Sequence, residues 1–206
     1  MIPFPDKKYQ IIYADPPWEY KNKRKFLNKQ MQKNVTEPIN QGVCRYPSLT
    51  LEQISNLPVS QIIDKDCALF LWTTTPYLEK AFSVINSWGF KYRTIGFIWL
   101  KTWNGKIKKP LEFYMSSVYG MNYYTKLQFE ICLLAIRGSI KPLSHSVCGQ
   151  VIAERTDHSK KPSEVRDKII ELFGDLPRIE LFARPPKDRL FEDESYKGWD
   201  LWGNEV

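Results

Sequence analysis

The sequence predicts an α/β protein whose mixed, mostly parallel sheet carries helices on both faces. Three observations lead there. Apolar runs of strand length recur at Tyr9–Tyr13, Cys67–Trp72, Thr94–Leu100, Phe129–Ile136 and Arg178–Ala183, and several are continuous rather than alternating, as in strands covered on both sides. A helical pattern separates the second run from the third, giving a βαβ unit expected to be right-handed. The first run stops at Asp15-Pro16-Pro17-Trp18, where neither proline can donate a backbone hydrogen bond or continue a central strand, so the chain must leave the sheet.

In open α/β folds ligands bind outside the carboxyl ends of the strands, which presents Asp15 and Trp18 at a site rather than in a core. The plainer reading is a strand followed by a Pro-Pro turn with a half-buried tryptophan. From Glu19 to Pro47 the chain shows no sustained periodicity and is rich in Lys, Asn and Gln. Such a length is unusual for a loop. It is a flap over the site, basic at Lys21, Lys23, Arg24 and Lys25, or an insertion without a role. Thr50 to Ile54 forms a short helix with Leu51 and Ile54 inward, ended by Pro58. After the strand Cys67–Trp72, Thr75 and Pro76 supply an N-cap and a first-turn proline. Leu78, Ala81, Phe82, Ile85 and Trp88 follow at helical spacing, and Gly89 closes that helix.

Between Lys101 and Tyr124 the pattern becomes basic and aromatic, with Lys106, Lys108, Lys109, Tyr123 and Tyr124 among its members. Cations that meet phosphates beside rings that stack on bases suit a nucleic-acid groove; surface aromatics packed on the domain would give the same composition. Phe129–Ile136 is a further buried strand, closed by Arg137-Gly138. Pro162 to Phe173 is an amphipathic helix with Val165, Ile169, Leu172 and Phe173 on one face, and the strand after it delivers Arg184 at its end. Trp199 and Trp202 anchor the tail. No internal repeat and no second domain is visible, so residues 1–206 are expected to form one domain, with 19–47 and 101–124 as nucleic-acid-binding insertions.

Lys plus Arg number 30 against 23 Asp plus Glu, a net charge of +7, which suits a polyanionic partner where the basic residues cluster, at Lys7–Lys8, Lys21–Lys33, Lys101–Lys109 and Lys160–Lys161. The four cysteines, Cys44, Cys67, Cys132 and Cys148, lack Cys-x-x-Cys spacing and read as reduced thiols. With His145 and His158 the only histidines, no metal-ligand cluster is expected. No signal-like or membrane-spanning apolar stretch is evident, and the expectation is a soluble cytoplasmic protein, monomer or homodimer.

The Asp-Pro-Pro-Trp corner has a chemistry of its own. Exocyclic amines of bases are poor nucleophiles because the lone pair is delocalised into the ring, and acceptors drawing on the NH2 protons return electron density to nitrogen. Asp15 carboxylate and the Pro16 carbonyl are such acceptors, Pro16 and Pro17 keep them rigid, and Trp18 offers a flat face worth roughly 1–3 kcal/mol in stacking.

Several segments then coincide. Asp15-Pro16-Pro17-Trp18, Glu130-Ile131-Cys132-Leu133-Leu134-Ala135, His158-Ser159-Lys160-Lys161-Pro162-Ser163-Glu164, Glu180-Leu181-Phe182-Ala183-Arg184 and Gly198-Trp199-Asp200 with Gly203-Asn204-Glu205 stand in the order seen in the family of the mRNA adenosine methyltransferase catalytic subunit. The chain resembles compact bacterial and phage members of that family along nearly its whole length. The resemblance implies a Rossmann-like, S-adenosylmethionine-dependent methyltransferase fold with the permuted motif order of the β class. It implies that Asp15 and Pro16 hold the target amine, with Pro17 stiffening the corner and Trp18 facing the base. It also implies that Asp15, Lys161, Arg184, Asn204 and Glu205 bind the cofactor. The sequence departs from the family in lacking its Gly-Tyr-Trp and a nearby asparagine, where Tyr123-Tyr124 and Leu127 stand.

The implied reaction is methyl transfer to adenine N6, in DNA by preference and in RNA as the alternative. A duplex adenine would have to be flipped out first. Two other readings stand beside it: a catalytically inactive nucleic-acid-binding subunit of the same fold, and a methyltransferase of free nucleotides or small amines.

Overall fold

Side-chain alternation along the opening strand, β1 (Tyr9–Ala14), decides how the sheet is covered. Ile12 and Ala14 enter one apolar cluster while Ile11 and Tyr13 enter the other, and all four are buried; a strand with period-2 side chains and no polar face must have layers on both sides. The computed structural model describes residues 2–19, 48–102, 120–121, 126–155, 160–185 and 194–204. Its further elements are α1 (Leu51–Ser55), β2 (Ile63–Thr73), α2 (Leu78–Ser87), β3 (Lys91–Thr102), β4 (Gly120–Met121), β5 (Lys126–Leu127), β6 (Phe129–Arg137), β7 (Gln150–Glu154), α3 (Glu164–Phe173), β8 (Arg178–Leu181) and β9 (Asp200–Trp202). Short 3₁₀ turns at Val59–Gln61, Thr75–Tyr77 and Glu194–Tyr196 join them.

The main sheet has seven strands in the order β7-β3-β6-β2-β1-β8-β9. β1 pairs in parallel with β2 and β8, β8 with β9, and β3 with β7. β6 runs antiparallel between β2 and β3. The βαβ unit β2-α2-β3 is therefore opened by an inserted strand. β6 fits there because its apolar residues match β2 rung for rung, Leu71 against Leu133 and Leu69 against Ala135. Helices α1 and α2 cover one face through Ile54, Ala81, Val84 and Ile85, and the Trp88 indole ties them together by donating to the Ile54 carbonyl at 3.0 Å. Helix α3 covers the other face through Val165, Ile169 and Phe173. This is the doubly covered, mostly parallel sheet that the sequence predicts.

Several elements differ in detail. Thr75 and Pro76 form a 3₁₀ turn, and α2 begins only at Leu78. The edge strands β7 and β9 were not expected, because each is short and buries one residue fully, Val151 and Trp202 respectively, too weak an apolar signal to read as a strand. Thr50 and Gln53 form a reciprocal capping box at α1, with Gln53 N–H donating to Thr50 Oγ1 at 3.2 Å and Thr50 N–H donating to Gln53 Oε1 at 2.9 Å. No helix among the described residues is long and apolar enough to cross a membrane.

Where β8 ends, Phe182 takes φ 62°, a left-handed conformation uncommon for a residue with a Cβ. Its turn lies against Gly203, where an added Cβ would come within 3.0 Å of Phe182 Cα and 3.1 Å of Ala183 N. Both neighbours are backbone and cannot rotate away. Gly203→Ala is therefore expected to lower stability by about 1–3 kcal/mol, measured by chemical denaturation; an unchanged midpoint would show that the contact is slack.

Candidate active site

The connections leaving β1 and β8 run in opposite directions, β1 toward β2 and β8 toward β9, which makes their adjacent carboxyl ends a topological switch point. Asp15 follows β1 and Arg184 follows β8 by three residues. Because β6 is antiparallel, its first residues reach the same end of the sheet, where β3 also finishes. That brings Glu130 and Lys101 to the site, and Lys161, just ahead of α3, completes it.

These side chains form one buried ionic cluster. Lys161 Nζ donates to Asp15 Oδ2 at 2.6 Å and lies 3.2 Å from Glu130 Oε2. Lys101 pairs with the other oxygen, Glu130 Oε1, and an Arg184 guanidinium nitrogen stands 3.9 Å from Asp15 Oδ2. The Lys161 side chain is 8% exposed and that of Asp15 17%. Charges so far from water persist only when paired. Burial alone would push the Glu130 carboxyl up, yet Lys161 and Lys101 hold it at about 2. Burial alone would lower the Lys161 ammonium, and Asp15 with Glu130 outweigh it and raise it. The Cys132 thiol beneath is pushed up by burial and stays a neutral floor.

The Asp-Pro-Pro-Trp corner closes on itself, with Trp18 N–H donating to the Pro16 carbonyl at 2.8 Å. That carbonyl keeps a second lone pair. The returning chain is fastened to the corner, since Leu49 N–H donates to the Pro17 carbonyl at 2.8 Å and Trp18 bridges to Leu49. Trp18 itself corrects an expectation. It is not held out at the surface but is 5% exposed, with its indole N–H donating to the Trp72 carbonyl at 3.2 Å. An indole with one polar atom is buried where that atom finds a partner, and the end of β2 provides it. Its remaining edge walls a cavity of about 340 Å³ with Glu19, Thr50, Leu51, Glu52, Tyr77 and Lys80.

Asp15, Lys161 and Arg184 are thus brought together. Asn204 is exposed just past β9. Glu205, His158, Lys21, Lys23, Arg24, Lys25, Lys106, Lys108, Lys109, Tyr123 and Tyr124 lie outside the described residues. Two basic clusters expected to face a polyanionic partner are corrected in part, because Lys101 and Lys161 are committed to Glu130 and Asp15. Lys7 likewise pairs with Asp200 at 2.7 Å. Glu130 and Lys101 were missed as site residues; the available signal was a lone carboxylate inside an apolar strand and a lone cation at the end of another.

The MT-A70 family profile matches residues 9–205. The chain belongs to the MT-A70 family. It is 35% identical to the Type II methyltransferase M.MunI of Mycoplasma sp, an alignment covering 98% of this chain and 79% of that protein. It is 25% identical to the human N(6)-adenosine-methyltransferase catalytic subunit METTL3 across 86% of this chain, which spans only 26% of that relative. An Arabidopsis thaliana N(6)-adenosine-methyltransferase MT-A70-like protein is 21% identical across 96% of this chain and 24% of its own length. The MT-A70 match thus runs from β1 through β9, and every member of the ionic cluster falls within it.

The cluster fixes a pH dependence. Glu130 titrates lower in the folded chain, at about 2, than its ordinary 4.5, so its stabilisation is complete above about pH 4.5 and is lost as pH falls toward 2. By linkage this is worth about 3 kcal/mol. Denaturation midpoints followed from pH 6 to pH 2 should fall for the native sequence, and Glu130→Gln should flatten that fall by a comparable amount.

Proposed function

We propose that this MT-A70 protein transfers a methyl group from S-adenosylmethionine to the exocyclic N6 amine of adenine in DNA, acting as an adenine-specific DNA methyltransferase. The observation that carries the reading is the Asp15–Lys161–Glu130 cluster at the switch point, directly after the proline corner. The names of the relatives support it: one is a Type II methyltransferase and others are N(6)-adenosine methyltransferases.

In this reading Asp15 accepts an N–H from the target amine while Lys161 holds the carboxylate correctly turned. The free lone pair of the Pro16 carbonyl accepts a hydrogen bond from the second amine N–H. Asp15 need not be a strong base, because the amine can lose its proton after methylation. Pro17 acts through rigidity, and Trp18 acts by pinning the corner to β2.

The residues present fit the cofactor chemically. Asp15 can accept from the ammonium of its methionine portion, Arg184 and Lys161 can meet its carboxylate, and Asn204 with Glu205 can accept its ribose hydroxyls. When bound, S-adenosylmethionine supplies an electrophilic methyl carbon on a sulfonium. Lys21, Lys23, Arg24, Lys25, Lys106, Lys108 and Lys109 would meet phosphates and Tyr123 and Tyr124 would stack on bases, in one domain of 206 residues that is cytoplasmic and needs no metal.

Incubation with labelled S-adenosylmethionine and separate pools of duplex DNA, single-stranded DNA, RNA and nucleosides, followed by nucleoside analysis, tests the reading. N6-methyladenine in a DNA pool is expected; label confined to RNA or to nucleosides would replace the substrate, and label nowhere would favour an inactive binding subunit. Asp15→Asn should leave the fold intact and reduce single-turnover methylation at least 100-fold, within the range of general acid–base and electrostatic terms. DNA affinity should also fall steeply between 50 and 200 mM salt, roughly in proportion to the phosphates contacted; a flat response would remove the basic segments from the interface.

A further inference from the structure

We propose that Arg166 is a positioning residue that fixes the charged groups of the site relative to one another, working through the short turn Glu194–Tyr196. The proposal rests on the methyl-transfer reading above. Arg166 lies on α3 five residues after Lys161 and is 2% exposed. Its guanidinium holds Glu180 of β8 by both oxygens, Nε to Oε2 at 2.6 Å and a terminal nitrogen to Oε1 at 3.1 Å. It stands 5.9 Å from the ring centre of Tyr13 on β1 and 3.9 Å from that of Tyr196. The Tyr196 hydroxyl in turn donates to the Arg184 carbonyl at 3.2 Å.

The segments β1, α3 and, through Tyr196, the chain beyond β8, which carry Asp15, Lys161 and Arg184, thus meet around this one guanidinium, whereas β6 and β3, which bring Glu130 and Lys101, do not touch it. Tyr13 precedes Asp15 by two residues and sits opposite Glu180 in the β1–β8 register. Lys161 leads into the helix that carries Arg166. Arg184 is held from behind by Tyr196. The neighbouring helix positions Val165, Ile169 and Phe173 show that apolar side chains fill the same layer, so a buried ion pair is not needed to cover the sheet, and desolvating it is costly. What a planar two-pronged donor adds is direction. An apolar contact lets α3 slide or turn on the sheet, whereas the fork fixes its rotation and its height along β8. Misplacement of about 1 Å at a distance from the chemistry is enough to cost two orders of magnitude in rate.

The test replaces the pair without leaving a lone buried charge. Arg166→Met with Glu180→Leu should fold with a midpoint close to the native one, since apolar substitution of a whole buried pair is often neutral or stabilising. The same variant should bind S-adenosylmethionine at least tenfold more weakly by calorimetry and lose at least tenfold in single-turnover methylation. Its Lys161, protected in the native chain by ion pairing, should become labelled by acetic anhydride, read by mass spectrometry. Tyr196→Phe, which removes one hydroxyl, should leave the midpoint unchanged and weaken cofactor binding several-fold. Arg166→Lys with native Glu180 should recover only part of the loss, because it keeps the charge without the fork. A stable double variant with native cofactor affinity, native rate and protected Lys161 would overturn the proposal, as would a Tyr196→Phe protein indistinguishable from native. Should the native chain bind no S-adenosylmethionine and methylate nothing, the methyl-transfer reading fails, and the Lys161 labelling pattern still decides the role of Arg166.

Discussion

One ammonium between two carboxylates governs this structure. Lys161 meets Asp15 and Glu130 at the crowded carboxyl end of the sheet, and each of the three would be costly to bury alone. The trio alone carries an excess of negative charge, and Lys101 and Arg184 reverse it, so that three cations face two carboxylates. The result is a cluster of fixed charges on rigid elements, with a modest excess of positive charge and little water to screen it. In such a place electrostatic interactions are stronger than at a surface, and no reorganisation is needed before a ligand arrives.

The sheet topology is what makes the cluster possible. Asp15 and Glu130 are distant in sequence, and a purely parallel sheet would put the start of β6 at the opposite edge from the end of β1. Inserting β6 antiparallel between β2 and β3 turns its first residues toward the carboxyl ends of its neighbours. Trp99 faces Glu130 across the β3–β6 ladder, so Lys101, two residues on, shares that face and can reach the same carboxylate. The lone reversed strand therefore has a chemical consequence as well as a structural one.

The tryptophans show the same economy of placement. Trp18 donates to the Trp72 carbonyl, Trp72 donates to the Tyr13 hydroxyl at 2.7 Å, and Trp88 joins α1 to the end of α2. Each large ring fills core volume while its single N–H finds a backbone or hydroxyl acceptor. The proline corner is thereby held to two strands at once.

The sequence by itself determined the layers and the strands that bear the site. Continuous apolar runs with strand length, a helix of proper spacing between two of them, and a proline pair after an aspartate are local signals, and local signals survive in one dimension. It also singled out Asp15, Lys161 and Arg184, through their places at the ends of elements and in ordered motifs. Tertiary structure alone decided which strand lies beside which, that Glu130 and Lys101 belong to the site, that Arg166 is a core residue, and that Trp18 is buried. The reason is physical: a charge reads as solvated until its partner is known, and those partners stand tens of residues away along the chain, brought together only by the pairing of β3, β6, β1 and β8.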